Sequence, residues 1–246
     1  MIRPIHMFSN LLLAWRGRIV ILATLLVAAL SAASTHAAGE QILKLRDPAQ
    51  AATAEGRQLV KYLVSCALPA GVVVEVKVNG ELYRYPGGMG LVPAWAQRDL
   101  IESEQRLVSA CILARTNFYG KTVKISTRSN RPDPPQALTA DETEQREYPF
   151  YEGAFFGNLF KPGSPAFVCQ GKVADGERKQ ILERTLRICS LPNQKGLPRQ
   201  FSNCGFIIVG ECGGDSYVQN GVDYSAEAIH IHLQMAPEVL ASGSLN

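Results

Sequence analysis

Several signatures of common chemistry are missing from this chain. There is no Cys-x-x-Cys pair, no Gly-Lys-Ser/Thr loop, and no Gly-x-Gly-x-x-Gly run between a strand and a helix. A thiol-based metal knuckle and the usual phosphate cradles are therefore excluded. Histidine is scarce: of the 4 in the sequence, only His230 and His232 lie beyond residue 36. An excess of basic residues is missing too. The formal charge of +3 comes from Arg3, Arg16 and Arg18 near the N-terminus. Without them, basic and acidic residues balance, and no basic stripe of the kind that tracks nucleic acid is visible.

The N-terminus reads as a targeting segment. Those three arginines precede an uncharged apolar run from Ile19 to Leu30, and Thr35-His36-Ala37 fits the small-x-small cleavage pattern. The run is shorter than the ~20 residues that span a bilayer. The expectation is a signal peptide over 1–37, with no stable membrane span after cleavage and a periplasmic or secreted location. The earlier Leu11-Leu12-Leu13-Ala14-Trp15 leaves open a retained anchor. What remains, 38–246, is expected to form a single exported domain, with a possible subdomain boundary at 130–147, where Arg131-Pro-Asp-Pro-Pro135 precedes a charged stretch.

All 6 cysteines follow the targeting segment. An even number in an oxidising compartment reads as disulfides rather than thiolate ligands or nucleophiles. Cys66 and Cys111 lie on the apolar sides of two expected helices, one started by Asp47-Pro48 and one running from Asp99 to Thr116, and are expected to pair. In the C-terminal half, local pairing gives Cys169 with Cys189 and Cys204 with Cys212.

Between the helices, Val72–Val78 alternates and runs into Asn79-Gly80, a pair suited to the positive φ angles of a type I′ turn, with Glu81–Tyr85 as the return strand. Pro86-Gly-Gly-Met-Gly90 reads as a connection. Thr122–Thr127 reads as a further strand, and 138–147 as a short helix capped by Thr139 and Glu142. The fold class expected is α+β, with two disulfide-linked helices beside antiparallel strands, followed by a strand-and-loop-rich, disulfide-stapled half.

Three constellations could carry chemistry. His230 and His232 alternate with Ile229, Ile231 and Leu233, so both imidazoles share one face of a strand, close enough to hold zinc or copper given a third ligand. Two polar residues on the solvent side of an edge strand give the same pattern without metal. Tyr148–Phe160 packs six aromatic residues around a single carboxylate, so Tyr151 and Glu152 are candidate ligand-binding residues, with Glu152 as an acid beside sugar-stacking rings. The competing reading makes Phe155, Phe156, Leu159 and Phe160 a core. A glycosidase needs a second carboxylate at a set distance, and nothing nearby supplies one. Gly213-Gly-Asp-Ser216 is superficially similar to a serine-protease nucleophile segment, but Tyr217-Val218 replace the glycines that should follow, and no histidine of the exported portion precedes Ser216.

Four segments, Leu63–Gly71, Val108–Asn117, Glu152–Gly157 and Cys204–Cys212, resemble recurring segments of an uncharacterised family of exported, disulfide-containing proteins of Gram-negative bacteria. The resemblance implies an envelope or extracellular setting and no catalytic residue. The function expected is therefore a non-enzymatic binding or envelope-associated protein with a protein or glycan partner. The alternative is a secreted hydrolase of glycans or peptides, possibly metal-assisted.

Overall fold

A computed structural model describes residues 41–44, 48–117, 122–171 and 205–235. It is α+β, with three α-helices and several sheets. The chain divides between Leu100 and Ile101 into two units, each with its own set of contacts. Residues 130–147, read as a possible subdomain boundary, lie inside the second unit.

The first unit begins with a strand that sequence patterning did not single out, β1 (Gln41–Lys44). Helix α1 (Ala54–Ala67) follows. Its cap differs from the expected Asp47-Pro48 start. Pro48 opens a separate 3-10 turn that ends at Ala51. The helix starts after Thr53, whose hydroxyl accepts from the Gly56 N–H at 3.0 Å and so satisfies one of the otherwise orphaned amides of the first turn. Val60, Leu63, Val64, Cys66 and Ala67 form the buried face.

Strands β2 (Val72–Val78) and β3 (Glu81–Pro86) pair antiparallel across Asn79-Gly80. Both turn residues have positive φ, 52° and 87°, as a type I′ turn requires. On its other side, β2 pairs in parallel with β1.

The loop after β3 explains its glycines. Met89, Leu91 and Val92 donate main-chain N–H groups to the carbonyls of Ser65, Cys66 and Ala67, and Gly88 and Gly90 both donate to Leu68. These carbonyls, which a helix end leaves without intrahelical partners, are thus capped by a loop some twenty residues further along the chain. The loop lies so close that a Cβ on Gly87 would collide with the Pro69 carbonyl oxygen.

The second unit contains α2 (Glu102–Ala114), β4 (Ser126–Arg128), α3 (Glu142–Glu147), β5 (Phe150–Gly157), β6 (Ala166–Gln170), β7 (Phe206–Glu211), β8 (Val218–Gln219), β9 (Val222–Asp223) and β10 (Ile229–Leu233). Strand β4 is shorter than the expected Thr122–Thr127 and starts later. The cap of α3 is Asp141, whose carboxylate accepts from the Glu144 N–H at 2.8 Å, rather than Thr139. Helix α2 packs along β5 and β10. Five strands form one sheet in the order β4-β10-β5-β6-β7. All neighbours in it are antiparallel except β6 and β7, which are parallel.

The aromatic stretch therefore supplies the middle strand of the larger sheet. Phe155 and Phe156 are fully buried. Phe156 meets Phe167, Tyr217 and Tyr224 at ring-centroid distances of 5.5, 5.5 and 5.6 Å. Burying rings of this size contributes ~1.5–3 kcal/mol each, so this part of the stretch is core.

Two disulfides are present, Cys66–Cys111 and Cys169–Cys212. The first is the pairing expected. The second corrects the expected local pairings of Cys169 with Cys189 and of Cys204 with Cys212. Parallel pairing sets Gln170 opposite Glu211, so Cys169 and Cys212 come together at the same end of two adjacent strands, with Cα atoms 4.9 Å apart. Cys189 and Cys204 lie outside the described residues.

Candidate functional site

The two histidines are not on an edge strand. Strand β10 lies between β4 and β5, and the expected alternation holds: Ile229, Ile231 and Leu233 are fully buried on one face. On the other face His230 stands opposite Ala154 of β5 and Arg128 of β4. His232 stands opposite Tyr151 and Ser126.

A β-bulge assembles this face. Glu152 and Gly153 together oppose Ile231, so Glu152 is the extra residue in the β5–β10 ladder. Strict alternation would place Tyr151 with Gly153 and Phe155. The inserted residue reverses that parity and turns Tyr151 onto the histidine face. Gly153 makes room for the irregularity, because a Cβ there would collide with the Cys169 carbonyl oxygen.

The result is a cluster of polar rings on an otherwise apolar sheet. The Tyr151 hydroxyl lies 2.7 Å from His230 Nδ1 and is also hydrogen-bonded to the Tyr217 hydroxyl. The Tyr151 ring stacks on both imidazoles, at 5.6 Å from His230 and 5.0 Å from His232. Tyr217 closes over His230 at 6.0 Å. His232 Nδ1 is buried without a hydrogen-bond partner. At the margin, Arg128 donates from Nε to Ser126 Oγ at 2.9 Å and from Nη2 to the Tyr148 carbonyl at 3.1 Å.

Burial governs the protonation of these groups. It pushes His230 down to about 4, since the imidazolium would lose its hydration without gaining a counter-charge. It pushes His232 down to about 4 as well, with Arg128 and then His230 adding repulsion. Burial, and then the neighbouring Tyr217, pushes the Tyr151 phenol well above its usual value. Tyr217 is also raised by burial, partly offset by its hydrogen bond with Tyr151. Near neutral pH the cluster is two uncharged imidazoles and two uncharged phenols.

The other expected positions fall as follows. Glu152 is fully buried in the bulge, and its carbonyl accepts from the Gly171 N–H at 2.9 Å. Asp215 and Ser216 belong to a 3-10 turn over Gly214–Tyr217, where Asp215 is exposed. The Ser216 hydroxyl accepts from the Gly213 N–H at 3.0 Å, which is a turn-forming role. Among the described residues, no group of three or more His, Cys, Asp or Glu side chains is placed to hold a metal ion. Tyr217 is the cluster member that sequence reasoning missed. Its signal was Asn220-Gly221, a second Asn-Gly pair, which turns β8 back into β9 with φ angles of 52° and 78° and places the 212–228 segment over this face.

Comparison with protein-family models, with curated proteins and with solved structures finds no match.

Proposed function

We propose that the chain is an exported, non-enzymatic protein that binds a protein or glycan partner in the cell envelope or outside the cell. The observation that carries this reading is the burial of the residues a glycan-cleaving site would have to present. Glu152, Phe155 and Phe156 have no exposed surface. A general acid must reach the oxygen it protonates, and rings that stack a sugar must be open to it. Here they hold the sheet together instead.

The exported setting draws support from the arginine-flanked apolar N-terminus and from the four segments similar to exported Gram-negative proteins. Two disulfides accord with an oxidising compartment. No helix among the described residues is long and apolar enough to cross a membrane.

The test is fractionation of cells producing the full chain, followed by assays on the purified, oxidised protein. The expected result is recovery with periplasm or medium, saturable retention on envelope glycan or on a defined envelope protein, and no turnover of peptidoglycan, soluble glycans or casein. Cytoplasmic recovery overturns the exported setting. Turnover that disappears in His230→Asn establishes the hydrolase instead.

A further inference from the structure

The ring cluster beside the bulge has a property that core packing does not require. Tyr151 Oη is within hydrogen-bond distance of His230 Nδ1 and is hydrogen-bonded to Tyr217. Three potential donor atoms are therefore gathered by direct contact with one of them. Donors bound ~2.0 Å from one cation stand roughly 3 Å apart, close to the spacing between hydrogen-bonded atoms. A fourth donor, His232 Nδ1, is buried with no partner at all, on a ring stacked against Tyr151. A buried nitrogen without a partner is costly and calls for an explanation.

We infer that Tyr151, Tyr217, His230 and His232 form a binding site for Cu(II), with two phenolate oxygens and two imidazole nitrogens as ligands. Four ligands of nitrogen and oxygen suit the tetragonal preference of this ion, which also binds such donors more tightly than the other divalent first-row metals do. Charge selects in the same direction. On binding, the cation replaces the hydroxyl protons of Tyr151 and Tyr217, so one Cu(II) enters and two protons leave. Two phenolates and a dication sum to zero, which a buried face beside the Arg128 guanidinium can accept. A trivalent ion would leave an uncompensated positive charge there. The imidazoles are already neutral and need lose no proton, and the step involves no change in oxidation state. The site is independent of whether the protein also binds a macromolecular partner.

The test titrates Cu(II) into the full, disulfide-intact chain, purified without a histidine tag and stripped with chelator. The expected result is one ion per chain, two protons released per ion in a weakly buffered solution, a visible phenolate-to-copper charge-transfer band, and a raised melting temperature. Tyr151→Phe and Tyr217→Phe should each weaken binding at least tenfold and diminish the band. Tyr224→Phe, a change in the same core outside the donor set, should leave both intact. If Tyr151→Phe does not fold, Tyr217→Phe carries the same readouts. Copper bound without proton release or the band, or bound equally well by both phenylalanine variants, overturns the site. So does a preference for zinc over copper.

Discussion

The Tyr151 hydroxyl and His230 Nδ1, 2.7 Å apart, tie neighbouring strands through side chains that a bulge has brought onto one face. With its hydroxyl removed, His230 Nδ1 stays buried without this partner. Tyr151→Phe should therefore cost ~1–3 kcal/mol, the penalty for an unsatisfied buried polar atom, with little lost ring packing. Urea unfolding of the two proteins measures it. An unchanged midpoint would show that the bond contributes nothing net.

Acid should weaken the fold through the same residues. His230 and His232 are held down to about 4 from 6.5, so the unfolded chain takes up protons before the native one does. Stability is then fully present above about pH 6.5, declines as pH falls below it, and levels off near pH 4. For His230 the loss is on the order of 3 kcal/mol. His232 contributes less because it is partly exposed. Unfolding curves from pH 7.5 to 4 should show this decline, and His230→Asn should flatten it.

Phe156 has no exposed surface and touches three aromatic rings. Phe156→Ala should destabilise by ~3–5 kcal/mol, the usual cost of emptying a buried ring site. Chemical denaturation decides it. A loss well under 1 kcal/mol would return the ring to the status of a surface group.

Peptide mapping of the unreduced protein should yield a Cys169–Cys212 peptide. The bridge spans 43 residues of sequence. Replacing both cysteines by serine should lower stability by ~2–4 kcal/mol, chiefly by freeing the unfolded chain. Recovery of Cys169 joined to Cys189 would contradict the strand pairing itself.

The parts of the fold that were legible in sequence are those set by local rules. Asn79-Gly80 fixed a turn through φ. Alternation put Ile229, Ile231 and Leu233 on one face of β10, and the helical spacing of Leu63, Val64 and Ala67 defined the buried side of α1. What escaped depends on distant partners. The parallel pairing of β6 with β7 joins segments separated by more than thirty residues, and it changes which cysteine Cys169 can reach. The bulge at Glu152 escaped because an extra residue is visible only against the opposing strand. Tyr151 was singled out beside Glu152 as a sugar platform. The structure gives it a different neighbourhood, His230 and Tyr217, because the register reverses between the two residues.

The cap on α1 has a consequence for the way the first unit holds together. The carbonyls of Ser65, Cys66, Ala67 and Leu68 are satisfied by amides from Gly88 to Val92, so the helix end and the segment leaving the hairpin cannot open separately without stranding polar groups. Amide exchange at Met89, Leu91 and Val92 will therefore follow the opening of a helix to which they do not belong. A stretch without regular structure of its own becomes the latch that makes helix and hairpin a single cooperative element.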